Sequence, residues 1–249
     1  MIRLITITVL LGVNLLIAQS FGQNKVQYRN FDWSFITSPH FDIYYYGDAS
    51  DLAQYTAEKG EEAYEQISKH LRWTLRKRVP IIIYHSHNDF QQTNVVLPYM
   101  REGIGGVTEL FKNRVVIPFE GDYAQFRHVI HHELVHALIN DMIYGSAQNV
   151  YSGRVRLRVP LWANEGLAEY LSMNWDTQSD MILRDLAVHE DMPTVQQLES
   201  FLAYKGGQSV WRFISQKYGR EKIGEIFTSM KFTQNAEKGF DKAIGMDYE

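Results

Sequence analysis

The residues best suited to chemistry form the pattern His132-Glu133-x-x-His136. They lie within Val129–Leu138, an apolar run with helical period. Residues four apart share one face of an α-helix, so both imidazoles can bind the same metal ion. Neutral imidazole is a good zinc ligand, and Glu133 beside the first histidine can take a proton from metal-bound water. Because the pattern fixes only three positions, a chance match is the alternative until a third ligand is found.

A second stretch supplies candidates for that ligand. Pro160-Leu161-Trp162 leads into a predicted helix over 163–171, and Glu165 and Glu169 lie four apart on it. One carboxylate can therefore bind metal while the other lies one turn away. A solvated acidic face is the alternative, but the apolar neighbours indicate a buried helix, where carboxylates need partners.

Four other histidines are interpreted without a metal. His128 lies one turn before the pair and would sit poorly in a tetrahedral site, so His128 and His131 are interpreted as structural. His85 and His87 fall in a predicted turn and are interpreted as polar loop groups.

At these residues the chain resembles the gluzincin metallopeptidases, which hold zinc with two histidines of HExxH and one glutamate from a following helix. Trp162–Gly166 is similar to the aminopeptidase W-x-N-E-G segment, so the resemblance implies that Glu165 is the third ligand. Thermolysin-like members carry an acidic residue four positions later, which is bonded to the first ligand histidine. The resemblance implies that Glu169 has this role and contacts His132. Residues Ala203–Gly207 are similar to the Y-x-K-G segment, with its Lys and first Gly shifted. In the aminopeptidases the tyrosine of that segment stabilises the transition state. The resemblance implies the same role for Tyr204.

From about His40 to its end, the chain is most similar to the bacterial peptidase MA-like domain. That domain is often found ahead of a β-propeller, so the resemblance also implies a downstream propeller in a longer chain. Gly106–Glu109 is similar to the aminopeptidase G-x-M-E-N motif but lacks its Met and Asn. Aminopeptidase activity is therefore not assigned, and cleavage at chain ends and within chains both stay open.

Composition limits the remaining function classes. The chain has 249 residues, 45% of them hydrophobic, with a net charge of −4 and no cysteine. A globular domain without a basic face argues against nucleic acid as a partner, and disulfides and thiolate zinc sites are excluded.

The first residues have the pattern of an export signal. Arg3 precedes the apolar run Leu4–Ala18, and small residues follow, so Met1–Gly22 is predicted to be a signal peptide cleaved before Gln23. An uncleaved membrane anchor is the alternative, although the run is short for a membrane span. We therefore expect a mature protein without a stable span, located in the periplasm, at the cell surface or outside the cell.

The fold class predicted from hydrophobic patterning is α+β. A small mixed β-sheet lobe over about 28–120 is expected to pack on the HExxH helix, followed by a mainly helical lobe over about 121–249. The resemblance implies the gluzincin, or zincin-like, architecture for this arrangement. A glycine-rich strand beginning at Gly103, just before the HExxH helix, could pair with the backbone of an extended substrate. Helices are predicted at 51–71, 122–144, 195–202, 209–218, 222–230 and 236–244.

These features predict a Zn²⁺-dependent metallopeptidase acting on a peptide or protein substrate. Its zinc ligands would be His132, His136 and Glu165, with Glu133 as the general base. Tyr204 would stabilise the transition state, and Glu169 would hold the ring of His132. A catalytically inactive binding or scaffold module of the cell envelope is the alternative, and metal content together with the activity of Glu133→Gln separates the two.

Overall fold

The computed structural model describes residues 25–246 and residue 248, so the predicted signal peptide lies outside the described residues. The described chain combines one small mixed β-sheet with a larger number of helices, in agreement with the predicted α+β class. The sheet has five strands in the spatial order β1-β2-β3-β5-β4. Its strands are β1 (Trp33–Thr37), β2 (Phe41–Tyr46), β3 (Val79–Tyr84), β4 (Val107–Glu109) and β5 (Arg114–Pro118). The central strands β2, β3 and β5 are parallel, and the edge strands β1 and β4 are antiparallel to their neighbours.

Most of the remaining described chain is helical. The helices are α1 (Ser50–Leu71), α2 (His87–Phe90), α3 (Tyr123–Ile143), α4 (Ala147–Tyr151), α5 (Leu161–Met173), α6 (Thr177–Val188), α7 (Ser200–Tyr218), α8 (Lys222–Thr233) and α9 (Ala236–Ile244), with a 3₁₀ turn at Val195–Gln197. No helix in this part of the chain is both long and apolar enough to cross a membrane.

The sheet is buried on both faces, as strand β3 shows. Ile81 and Ile83 point into the main core, which helices α1 and α3 cover from one side. Tyr84 points the other way, into a smaller cluster with Phe90. Successive side chains of a strand face opposite sides, so an almost continuous apolar strand is the pattern that burial on both faces requires.

Helix α3, which carries the HExxH pattern, has well-defined ends. The side chain of Asp122 accepts hydrogen bonds from the backbone N–H groups of Ala124 and Gln125, at 2.8 and 3.1 Å. Such an N-cap satisfies donors that the first turn leaves free. Gly145, at φ 69°, follows the last turn in the left-handed conformation that favours glycine. The helix is buried along most of its length, which fixes the histidines it carries.

Helices α5 and α7 cross with their backbones in direct contact. A Cβ atom on Gly166 would overlap the carbonyl carbon of Gly207, and one on Gly207 would overlap the carbonyl oxygen of Trp162. Near this crossing the indole of Trp211 donates a hydrogen bond to the carbonyl of Ala163 at 2.9 Å. The glycines therefore bring the two helices close enough for their polar side chains to meet beside α3.

Two predictions about elements were wrong, and one long helix was missed. Gly103–Gly106 is not part of a strand, since β4 begins only at Val107. Glycine has no side chain to pack in a sheet, and here the segment bends over α3 instead. The two helices predicted at 195–202 and 209–218 are largely one continuous helix, α7, because Gly206 and Gly207 serve close packing and do not end the helix. Helix α6 was not predicted, because only Ser179 and Leu183 on it are buried and its apolar stripe is weak.

Candidate metal centre

Three atoms from two helices converge at one point beside the sheet. Nε2 of His132 and Nε2 of His136 are 3.2 Å apart, and both rings lie on one face of α3. Oε2 of Glu165, on α5, is 3.3 Å from the first nitrogen and 3.2 Å from the second. All three side chains are largely buried, so these three groups are held together away from bulk water.

This triangle fits a metal ion. Zinc–ligand bonds of about 2.0–2.1 Å in a tetrahedral site place neighbouring ligand atoms about 3.3 Å apart, as they are here. Two imidazoles and one carboxylate are also the donor set of catalytic zinc sites that keep a position open. The chain therefore holds a group of His and Glu side chains that could bind a metal.

The charge around His132 gives a second reason to expect a cation. Burial alone would lower the pKa of His132, but contacts with the carboxylates of Glu165 and Glu169 outweigh it and raise the pKa to about 10. Burial would likewise raise the pKa of Glu165, yet its contacts with His132 and His136 hold that pKa well below the usual range. Without a metal, His132 would therefore carry a proton at neutral pH. The surrounding carboxylates thus favour a positive charge at this position.

Glu169 lies one helical turn after Glu165 and contacts the other side of the His132 ring. Its Oε1 is 3.1 Å from Nδ1 of His132, an ion-pair distance whose angle falls short of a hydrogen bond. Its Oε2 accepts a hydrogen bond from Nζ of Lys205 on α7 at 2.9 Å. A carboxylate beside Nδ1 leaves Nε2 free to bind a metal. Metal-binding histidines in other proteins are commonly oriented by a carboxylate in this way.

Glu133 faces the same site from α3 and is held by the sheet. The hydroxyl of Thr108, on β4, is 2.6 Å from its Oε2. A Cβ on Gly106 would lie 2.9 Å from Cγ and 3.0 Å from Oε1 of Glu133. The glycine thus leaves room for a buried carboxylate next to the candidate metal ligands but outside the triangle that they form.

Tyr204, on α7, closes another side of the centre. Its ring stacks on that of His132, with centroids 6.1 Å apart and an interplanar angle of 12°. Burial and then the charge of Glu165 raise the pKa of Tyr204 above its usual range. The phenol therefore keeps its proton at neutral pH and can donate a hydrogen bond into the site.

The other histidines differ in their surroundings. His131 is half-buried, and the burial of its ring lowers its pKa to about 4, in keeping with a structural role. His128 instead lines the site's cavity, with Nε2 3.5 Å from Oε1 of Glu169. His128, His132 and Glu169 form a second group with metal-ligand spacing, but the Lys205 ammonium on Glu169 opposes a cation there.

His85 and His87 lie apart from the centre. The predicted turn that contains them includes the short helix α2, which begins at His87. His87 pairs with Glu120, with 3.4 Å between Nδ1 and Oε1, and the ring of His85 stacks on Tyr46. Neither residue belongs to a group of metal-ligand spacing in the described chain.

The centre opens into a cavity of about 680 Å³. One wall is the backbone of Gly103–Gly106, and another is formed by helices α5 and α7. His132, Glu133, Glu169 and Tyr204 all line it. A reactant in this cavity would therefore contact His132 on helix α3, the carboxylate of Glu133 and the ring of Tyr204.

Two residues of the site were missed by sequence reasoning. Lys205 and Thr108 contact Glu169 and Glu133, which lie 36 and 25 positions away along the chain. A helical-spacing argument cannot detect such pairs. The one available signal for Lys205 was its place beside Tyr204, inside the shifted Y-x-K-G segment.

Comparison with known families agrees with this geometry. Residues 60–249 match the family described as the Peptidase MA superfamily. No match is found among curated proteins. The matched segment includes α3, α5 and α7, and therefore every residue of the metal centre and of the cavity next to it.

Proposed function

The chain belongs to the Peptidase MA superfamily, and we propose that it is a zinc-dependent metallopeptidase of the gluzincin type. The observation that carries the proposal is the triangle of His132, His136 and Glu165, whose edges of 3.2–3.3 Å suit tetrahedral zinc. Its substrate would be a peptide or protein. Zinc bound there would act as a Lewis acid and bring the pKa of a water molecule to about 7.

Glu133 is the general base in this proposal. It follows His132 directly, so its side chain points about 100° away around the helix axis, beside the metal ligands and not among them. Thr108 holds one carboxylate oxygen, and the other lies beside Gly106 in the wall of the cavity. That free oxygen accepts the proton of the attacking water and passes it to the leaving nitrogen.

Tyr204 and Glu169 have supporting roles. The protonated phenol of Tyr204 would donate a hydrogen bond to the oxygen that becomes negative as the carbonyl carbon turns tetrahedral. Glu169 would keep the proton of His132 on Nδ1, so that Nε2 stays available as a ligand.

Location is a further part of the proposal. The basic residue, apolar run and small residues of Met1–Gly22 support export by a cleaved signal peptide. The protein would then act on peptides or proteins of the periplasm, the cell surface or the extracellular medium.

Glu133→Gln tests the function most simply. The variant should fold and keep its zinc, but kcat for peptide cleavage should fall roughly 10²–10⁴-fold, because the water loses its proton acceptor. A chelator should abolish cleavage by the parent protein, and added zinc should restore it. Glu58→Gln, at an exposed position on α1, is the matched control and should leave kcat unchanged. Equal cleavage by the parent and Glu133→Gln would refute Glu133 as the general base, and absence of cleavage by the parent would favour a binding module.

A further inference from the structure

The charged side chains around the cavity bear on which part of a substrate chain it accepts. An enzyme that removes residues from a chain end gains by binding the terminal ammonium or carboxylate with an opposite charge. An enzyme that cleaves within a chain has no terminal charge to bind. The charged groups near the metal centre can therefore be sorted by whether they are available or already paired.

Glu109 is the carboxylate of the segment that resembles the G-x-M-E-N motif, and it is engaged within its own turn. Its oxygens accept hydrogen bonds from the backbone N–H groups of Phe111 and Lys112, at 2.6 and 2.9 Å. Nε of Arg114 donates a third at 2.6 Å, and Glu109 is only 7% exposed. Glu109 thus fixes the turn between β4 and β5, and it is not among the residues that line the cavity.

Apart from Glu133, whose carboxylate is bonded to the hydroxyl of Thr108, the ionic groups that line the cavity are paired with each other. Glu169 contacts His128, His132 and Lys205. Nζ of Lys205 lies 2.9 Å from Glu169 and 3.8 Å from Asp176, and its side chain is only 10% exposed. A terminal carboxylate would have to compete with both of these carboxylates for the ammonium.

The rest of the cavity wall suits the middle of an extended chain. Three of the four residues of Gly103–Gly106 are glycines, so this wall of the cavity is largely backbone, and it leads into β4. That strand lies at an edge of the sheet and pairs only with β5, so its other side is free in the described structure. An unpaired strand edge can hydrogen-bond to an extended peptide irrespective of the peptide's ends.

Apolar side chains line the same space. Phe201 and Met173 are 50% and 41% exposed, and both face the cavity together with Ile104 and Val129. Exposed apolar groups gathered in a concave site favour apolar ligand groups, because contact with them removes both surfaces from water.

From these observations we propose that the protein is an endopeptidase that cleaves within extended segments and prefers apolar side chains next to the cleaved bond. The inference rests on the proposed function and adds its substrate class. Both chain ends would extend out of the cavity, and neither would be bound by a dedicated charge.

Blocking the ends of one peptide tests the first half of this proposal. The zinc-loaded protein should be given a single apolar decapeptide in four forms: free, N-acetylated, C-amidated and blocked at both ends. Products are identified by mass spectrometry, and kcat/KM is measured for each form. We expect internal cleavage at the same bond in all four, with kcat/KM equal within roughly threefold, since no end contact is lost.

Other outcomes distinguish failure of the endopeptidase inference from failure of the proposed zinc peptidase. A fall in kcat/KM of roughly ten- to hundredfold on blocking one end, with release of one or two residues from that end, is the loss expected for a charge-assisted contact and would overturn the inference alone. Cleavage of none of the four forms, or of all four in the presence of a chelator, would refute the zinc peptidase and with it the inference.

The apolar preference is tested by Phe201→Ala and Met173→Ala. Each should lower kcat/KM roughly tenfold or more for a peptide with leucine next to the cleaved bond, and much less for the same peptide with serine there. Zinc content should stay at that of the parent. Phe232→Ala, at an exposed residue outside the cavity lining, is the matched control and should leave both values unchanged. Equal leucine-to-serine ratios in the parent and both cavity variants would contradict the preference.

Discussion

Glu169 shows how closely the chemistry of this site depends on single residues. It is 6% exposed and lies between a cationic lysine and a candidate ligand histidine. Burial would raise its pKa, but contacts with His128, His132 and Lys205 hold that pKa well below the usual range. The carboxylate is therefore charged throughout the neutral range, and a buried charge of this kind needs its partners.

Replacing Lys205 tests that dependence. Lys205→Met keeps most of the side-chain volume but leaves Glu169 with less compensation, so the free energy of unfolding at pH 7 should fall by about 3–5 kcal/mol. Chemical denaturation of the zinc-free protein measures this loss. Lys222→Met is the matched control: it removes an i,i+3 pair with Glu225 that is about one-third exposed, and should cost at most about 1 kcal/mol. Similar losses in the two variants would show that the buried pair has no special role.

At the scale of elements, the site depends on how closely α5 and α7 approach each other. Gly166 follows Glu165 directly, and Gly207 lies two residues after Lys205. Both glycines leave space that the backbone of the partner helix fills. The glycine of the W-x-N-E-G-like segment, Gly166, thus has a packing reason as well as a place next to a candidate ligand.

Gly207→Ala should therefore lower the free energy of unfolding and also displace residues of the site. The new methyl group would meet the backbone of Trp162 and Gly166, so the helices must separate, at a cost of about 1–3 kcal/mol or more. Tyr204 would move away from His132, and peptide cleavage should fall with zinc still bound. Gly206→Ala is the neighbouring control, because its methyl group meets the flexible side chain of Leu198. A variant Gly207→Ala as stable and active as Gly206→Ala would contradict the close approach.

Helix α1 is tied to the sheet by a carboxylate whose charge matters to stability. Glu61 accepts hydrogen bonds from Ser38 Oγ at 2.6 Å and from the backbone N–H of His40 at 2.9 Å, and it contacts the His40 ring. Partial burial would raise the pKa of Glu61, but these contacts outweigh it and hold the pKa below the ordinary 4.5. A depressed pKa in the folded state stabilises the fold above the unfolded pKa, and that stabilisation is lost as the pH falls through the folded value.

Glu61→Gln should accordingly be less stable than the parent at pH 7, by about 1–3 kcal/mol. The difference should shrink as the pH falls below about 4.5, because the parent then loses the charge as well. Thermal unfolding of both proteins between pH 7 and pH 3 measures the effect. Glu65→Gln, exposed one turn later on the same helix, should follow the parent at every pH. A constant gap between Glu61→Gln and the parent would mean that the charge is not the cause.

At the scale of the whole molecule, one core joins the sheet to the helices that follow it. The main apolar cluster runs without interruption from Phe41 on β2 to Phe240 on α9. The smaller cluster around Tyr84 lies on the other face of the sheet. The metal centre lies where helices α3, α5 and α7 meet above the sheet, so all three must be in place for its geometry.

Sequence reasoning reached the parts of this arrangement that depend on local spacing. The pair His132 and His136, and the helix that carries Glu165, follow from helical periodicity and from resemblance to a known family. Lys205 and Thr108 could not be found in this way, because their partners are distant in the chain and are brought near by packing. The predicted break in α7 failed for a related reason: a glycine that ends a helix and a glycine that allows close packing look the same in one sequence.

The most direct test of the whole account is the zinc content of purified protein, measured by elemental analysis without added metal. We predict one zinc per chain in the parent and in Glu133→Gln, whose carboxylate lies outside the ligand triangle. His136→Ala and Glu165→Gln should lose most of it, since each removes one of three protein ligands. His189→Gln, at an exposed histidine remote from the centre, should retain it. Full zinc occupancy in both His136→Ala and Glu165→Gln would contradict the metal centre on which the proposed function depends.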